Sequence, residues 1–250
     1  MSDRRTMSKL AAWHAGEKAI QQRVGVAEKM EAVGQRAVRD YMPDQHRDFF
    51  AQIPFIVVGS VDRSGDAWAS LLAGRPGFIA SPTSRSLEIA ARPDPSDPVS
   101  EGMRESDAVA LLGIELHTRR RNRANGLLRA SSGQALSFEL DQSFGNCPQY
   151  IQLRDFAFVR EPDQPFTGEI ETNTALDQAA RDMIQAADTF FVASYAERED
   201  RRQVDVSHRG GRAGFVRVAA DGTLTIPDFA GNLFFNTLGN ILVKDRKSVV

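Results

Sequence analysis

The sequence predicts a mainly β fold of the α+β class, built from two small Greek-key barrel units behind a helical N-terminal arm. Three observations predict it. Short β-branched and apolar runs recur at close spacing with turn residues between them, the pattern of an antiparallel barrel rather than a parallel sheet. Residues Asp66 to Ile89 align without a gap on Gln203 to Ile226, with matches at Ser70/Ser207, Gly74/Gly211, Arg75/Arg212, Gly77/Gly214, Phe78/Phe215, Leu87/Leu224 and Ile89/Ile226 around a shared G-R-x-G-F core. Each copy follows a similar run, PFIVVGSV from Pro54 and TFFVASY from Thr189, so a β unit is read as duplicated and the chain as an internal pseudo-dimer.

In chain order, Met7 to Met42 is rich in Ala, Glu, Lys, Gln and Arg, with Ala19, Val26, Met30, Val33 and Ala37 near helical spacing. Gly16, Gly25 and Gly34 leave one long helix or two shorter ones open, and Pro43 closes the segment. Strands are expected at Phe55 to Val61, Ala67 to Ala73, Gly77 to Ala80, Ser86 to Ala90 and, as the most buried, Ala108 to Leu116. Leu127 to Ala130 and Ala135 to Leu140, with SSG between them, read as a closing hairpin. Asn146 to Arg154 reads as a short ordered turn or helix, and Ala175 to Ala187 as a helix starting near Thr174 or Asp177. Ala219-Ala220-Asp221-Gly222 supplies the hairpin turn of the second unit.

These elements divide the chain into an arm (1–47), a first barrel unit (48–160) and a second unit (161–250) that stops early, with no strand expected after Ile241. The last six residues, DRKSVV, match the translation of a common sequencing adapter, so this end is expected to be artificial and the second barrel incomplete. A formal charge of −2 gives no general attraction to nucleic acid or anionic lipid, and no apolar run reaches bilayer-spanning length. The first residues lack the apolar core of a secretion signal, and Cys147 is the single cysteine, so a cytoplasmic protein without an internal disulfide is expected.

Chemistry is sparse. There is no dinucleotide or phosphate-loop glycine motif, no nucleophile elbow and no H-E-x-x-H, and the four histidines lack metal-ligand spacing. Cys147 is read as a small buried thiol rather than a nucleophile. The richest polar segment is Ser207-His208-Arg209-Gly210-Gly211-Arg212, whose donors suit a phosphate and whose glycines allow close backbone approach. An Arg-bearing hairpin with ordinary surface pairing explains it equally well. The first copy carries Leu71 and Leu72 where the second has His208 and Arg209, so one unit binds and the other supports. TRRRNRANG (Thr118 to Gly126) has no aromatic stacking platform beside it; a solvated strand end or an anion contact is expected rather than nucleic acid. Trp13-His14-Ala15-Gly16-Glu17 reads as a helix cap or docking contact.

Taken together, WHAGEKAIQ (from Trp13), MPDQHRDFF (from Met42), DAWASLLAGRPGF (from Asp66), TRRRNRANG, GNCPQYIQLR (from Gly145), VDVSHRGGRAGF (from Val204) and IPDFAGNLFFNTLGN (from Ile226) carry a family resemblance. The chain resembles the pyridoxamine 5′-phosphate oxidase-like proteins, the FMN-binding split-barrel superfamily, in the branch with two tandem barrel units. The resemblance implies FMN held near a barrel–barrel interface, with its phosphate at Ser207, His208 and Arg209 and further cofactor contacts at Pro227, Asp228 and Asn232. The Lys/Thr phosphate pair of the simpler oxidases is absent, and Asp228 and Asn232 occupy that neighbourhood. The function implied is a flavin-dependent oxidoreductase acting on a small molecule, with substrate and electron donor unspecified. The alternatives are a flavin or haem carrier without turnover and an accessory module of a larger reductase. The internal duplication replaces a homodimer, or two such chains still pair.

Overall fold

In a computed structural model, described for residues 11–129, 135–164, 166–168, 170–198, 201–244 and 247–249, the arm forms helices α1 (Ala15–Arg23) and α2 (Ala27–Ala37), separated by a turn at Val24–Gly25. Of the two arrangements the glycines left open, the two shorter helices form. The expected start at Met7, Ala130, the SSG turn and Asp245-Arg246 lie outside the described residues. A third helix, α3 (Asp44–Gln52), follows Pro43 where none was expected. Its sequence, DQHRDFFAQ, is too polar and short to show periodicity, but Phe49 and Phe50 anchor one face in the core.

Seven strands make one antiparallel sheet: β1 (Phe55–Val61), β2 (Ala67–Ala73), β3 (Ile79–Thr83), β4 (Ser86–Ile89), β5 (Ala108–Glu115), β6 (Arg120–Arg129) and β7 (Leu136–Gly145), in the order β2-β1-β5-β6-β7-β4-β3. The meander β5-β6-β7 with β4 returning beside β7 is a Greek key. After a long segment without regular structure come helix α4 (Gln178–Ala186), strands β8 (Thr189–Glu197) and β9 (Arg202–Gly210), a short pair β10 (Arg217–Val218) and β11 (Leu224–Thr225), helix α5 (Asn236–Val243) and strand β12 (Lys247–Val249). Asp177 caps α4, accepting from Ala180 N at 2.7 Å. β12 pairs with β8 opposite β9, so a strand follows Ile241. Among the described residues no helix is long and apolar enough to cross a membrane.

The apolar runs of β1 and β5 are continuous because both faces are covered. Ile56, Val58, Val109 and Leu111 enter the barrel core with Phe49, Phe50, Leu87 and Phe138. Their neighbours Val57, Ala110, Leu112 and Ile114 enter a second core with Ala193, Tyr195, Val204 and Val206 of β8 and β9. Strand alternation thus lets one sheet support both cores, and the β8–β9 hairpin lies across the sheet that the first residues build.

The two G-R-x-G-F segments make the same turn. Phe78 N donates to Arg75 O at 2.9 Å and Phe215 N to Arg212 O at 3.0 Å. Gly77 and Gly214 take φ of 98° and 82°, a region that a side chain disfavours. Each turn leads from a hairpin, β1–β2 or β8–β9, into a second antiparallel pair, β3–β4 or β10–β11.

Candidate anion and aromatic cavity

A cavity of about 370 Å3 opens where β6, the end of β9, the turn after β7 and the loop before α5 converge. Its size falls within the range of small-molecule sites. All six residues singled out from the sequence border it: Ser207, His208 and Arg209 from β9, and Pro227, Asp228 and Asn232 from the loop. Their roles differ. Ser207 is buried, donating to Asp205 Oδ2 at 2.9 Å and accepting from Arg123 Nη2 at 2.8 Å, so its hydroxyl is already engaged. Asn232 Oδ1 accepts from Phe234 N at 3.2 Å and shapes its own loop. Pro227 and Asp228 are exposed at the rim. Arg209 is held loosely, with Nη2 4.0 Å from Asp228 Oδ1.

The strongest charges come from TRRRNRANG: Thr118 and Arg119 are exposed just before the strand, as expected, but Arg121 and Arg123 turn inward. Strand β6 begins at Arg120, earlier than the expected Leu127, and its pairing sets Arg123 opposite Leu112 and Arg121 opposite Ile114. Leu112 and Ile114 belong to the second core, so alternation turns both arginines toward β9. Arg123 is 3% exposed; Nη1 lies 2.7 Å from Asp205 Oδ1 and donates to Asn236 Oδ1 at 2.8 Å. Arg121 donates from Nη2 to the Cys147 carbonyl, and its Nη1 sits 3.4 Å from His208 Nδ1. Burial, reinforced by the Arg123 and Arg209 charges, pulls Arg121 down to about 10, still cationic at neutral pH. Burial and then the Arg121 and Arg209 charges lower His208 to about 3, so its imidazole is neutral.

Several polar atoms bordering the cavity have no hydrogen-bond partner among the described residues: Arg121 Nε, Arg123 Nε, Thr237 Oγ1 and Asn146 Oδ1. Buried polar atoms are nearly always paired, so this cluster marks where ligand atoms belong. Thr237 is in the first turn of α5, whose N-cap, Phe235, offers no side-chain cap. The free N–H groups of that turn add a partial positive charge on the same side as the arginines.

The cavity also has aromatic lining. Tyr150 and Phe229 have ring centroids 5.2 Å apart, Phe229 and Phe215 6.4 Å, and Tyr150 Oη donates to Ala230 O at 2.9 Å. Tyr150, Leu233 and Phe235 all border the cavity with φ of 60–66°. Left-handed backbone costs a side-chain-bearing residue roughly 1–2 kcal/mol, and such outliers gather where a binding geometry is held in place. Gly210 serves a different end from the expected ligand approach: a Cβ there would lie 2.0 Å from the Tyr150 carbonyl oxygen, so its bare backbone seats the protein's own aromatic wall. Cys147 is half-buried on the cavity's border rather than in a core.

Behind the arginines lies a buried carboxyl group, Glu17 of α1, which burial raises to about 8. Burial also lowers its neighbour His14 to about 4. Between the usual carboxylate value of 4.5 and about 8 the folded state holds a Glu17 proton that the unfolded chain has lost, so this contribution to stability is lost as pH rises. For His14 and His208 the unfolded chain binds protons first, so stability rises with pH up to about 6.5. The expected profile from these groups climbs to about pH 6.5 and declines toward pH 8. Urea denaturation across about pH 5–9 checks it, and Glu17→Gln should flatten the alkaline limb.

No family model matches the chain, and no curated protein matches it significantly. Among solved structures, the chain is similar to an FMN-binding protein from Syntrophomonas wolfei (10% identity, TM-score 0.34, covering 50% of this chain and 96% of that one). It is also similar to the FAD and heme binding protein of Mycobacterium smegmatis (15% identity, TM-score 0.30, 59% and 97%). A third is a candidate pyridoxamine 5′-phosphate oxidase of Lactobacillus delbrueckii (10% identity, TM-score 0.32, 42% and 95%). Each overlap takes in nearly all of the other protein but only about half of this one, and none decides what this chain binds.

Proposed function

We propose that this chain is a flavoprotein of the pyridoxamine 5′-phosphate oxidase-like split-barrel family, holding FMN in the cavity and serving as a flavin-dependent oxidoreductase on a small molecule in the cytoplasm. One observation carries the reading: a single cavity combines unsatisfied cationic and hydroxyl donors with aromatic lining. FMN presents the complementary pair, a phosphate and a planar ring. Arg121 and Arg209, with Thr237 Oγ1 and the first N–H groups of α5, would hold the phosphate. Arg123 adds its charge from behind, and Asp205 keeps its guanidinium fork in place. Tyr150 and Phe229 would take the ring face, while Pro227, Asp228 and Asn232 would border the ribityl chain. A bound flavin supplies hydride and electron transfer; the chain's part is to bind it, orient it and exclude water. The divisions 1–47, 48–160 and 161–250 belong to the same reading, and the matched G-R-x-G-F turns favour descent of both units from one.

Titration with FMN tests this. Arg209→Ala should weaken affinity by about 1.5–3 kcal/mol, the loss of a hydrogen bond to a charged group. An unchanged affinity counts against the assignment. Reduction of the bound flavin by NADH or NADPH, followed by reoxidation with an acceptor, separates an oxidoreductase from a carrier.

A further inference from the structure

The N-terminal arm reaches the cavity through a buried chain of polar contacts. His14 caps α1: its Nδ1 accepts from Gly16 N at 3.1 Å, and its backbone N donates to Glu17 Oε2 at 2.8 Å. With Nδ1 an acceptor, the neutral ring carries its proton on Nε2 and donates to Asn240 Oδ1 at 2.7 Å. Asn240 Nδ2 continues to Ser194 Oγ of β8 at 3.0 Å. The second oxygen of Glu17 accepts from Asn236 Nδ2, and Asn236 Oδ1 accepts from Arg123. Asn236 is the first residue of α5, so one amide joins the arm carboxyl, the cavity arginine and the helix start that carries Thr237.

The packing makes this contact obligatory. A Cβ on Gly16 would lie 2.1 Å from the Gly239 carbonyl oxygen, and one on Gly239 would lie 2.7 Å from Glu17 Cγ, so α1 rests directly on α5. Trp13 locks the arm, donating from Nε1 to Met30 O at 2.8 Å and packing on Phe234 at 4.7 Å. Glu17 is 1% exposed, and the charged or titratable groups around it are His14, Arg198, Asp205 and, through Asn236, Arg123. A stabilising contact alone would not call for a buried carboxyl group here, because burying one is costly. Its acceptor oxygen orients Asn236, whose other end would otherwise be free to turn away from Arg123.

We infer that Glu17 is a positioning residue for the cavity's anion pole: through Asn236 it fixes Arg123 and the first turn of α5, so docking of the arm and binding of a phosphate group are linked. The inference rests on the reading of the cavity as an FMN site. Linkage is reciprocal, so FMN should tighten the arm as much as the arm tightens FMN.

The test measures FMN affinity and backbone hydrogen exchange for the full chain, Glu17→Ala, Glu17→Gln and Asn236→Ala. Glu17→Ala should weaken FMN binding about tenfold, as for one lost hydrogen bond, while Glu17→Gln, which keeps one acceptor oxygen for Asn236 Nδ2, should stay within about threefold. FMN should slow exchange in α1 of the full chain but not of Glu17→Ala. Without FMN, the first turn of α5 should exchange faster in Glu17→Ala. Wild-type affinity in a folded Glu17→Ala, or equal loss in Glu17→Gln, overturns the inference. If Glu17→Ala does not fold, Asn236→Ala decides by the same affinity comparison. A full chain that ignores FMN overturns the cavity reading. In that case unchanged exchange at α5 in ligand-free Glu17→Ala overturns the linkage separately.

Discussion

Arg123→Ala should lower folding stability by about 3–5 kcal/mol, the usual cost of breaking a buried ion pair from one side. The substitution strands Asp205, 2% exposed, whose Oδ1 now sits 2.7 Å from Arg123 Nη1. It also takes the donor from Asn236 Oδ1 and from Ser207 Oγ. Arg123→Lys should recover only part of the loss, because one ammonium cannot replace a fork that meets three partners. Adding Asp205→Asn to Arg123→Ala should restore stability, since most of the penalty is the uncompensated charge rather than the lost contact. Urea unfolding of the four proteins checks the series. A loss below about 1 kcal/mol for Arg123→Ala, the range of an exposed pair, would contradict the buried network described above.

Gly210→Ala should cost about 3 kcal/mol, the upper end for overpacking. The added Cβ meets a carbonyl oxygen at 2.0 Å, and a backbone atom cannot swing aside as a side-chain tip can. Relief requires the Asn146–Ile151 turn to withdraw, which parts Tyr150 from Phe229 and opens the aromatic wall. Ligand affinity should therefore fall along with stability. Gly211→Ala makes the contrast: its Cβ would meet Phe215 Cγ at 2.7 Å and Cβ at 2.9 Å, also a fixed part of the neighbour but a wider approach than at Gly210, so its cost should be smaller. Melting temperature and FMN titration of the two variants check the difference, and equal losses would contradict it.

Much of this arrangement was legible in the chain itself. The continuous apolar runs of β1 and β5 marked buried strands, whereas the shared G-R-x-G-F marked a repeated segment without showing that it turns, and Gly77 was expected in a strand. The polar segment Ser207-His208-Arg209 and the loop from Pro227 were picked out from residue chemistry and resemblance, and they do meet in one cavity. The larger part of its charge was misread. Four arginines within five residues look like a solvated cluster, whereas strand alternation sends Arg121 and Arg123 inward to a β9 that lies more than eighty residues later. No local pattern encodes that pairing; Asn125-Gly126 is ordinarily a turn signal, yet here it lies inside β6 at a register shift. Helix α3 was hidden by its polar surface, since two phenylalanines suffice to hold it. The start of α5 was hidden because Phe235 caps it through a left-handed backbone rather than through a capping side chain. Glu17 could not be read as part of the site at all. In sequence it is an ordinary first-turn helix acid, and only docking against Gly239 buries it beside Asn236.

The central claim is that the cavity between β6, β9 and α5 holds a flavin phosphate, and the visible absorption spectrum of the purified chain tests it most directly. After incubation with FMN and desalting, the protein should keep the blue and near-ultraviolet flavin bands, and excess inorganic phosphate should compete the flavin away. A colourless protein after desalting, with no FMN affinity in titration, would contradict it.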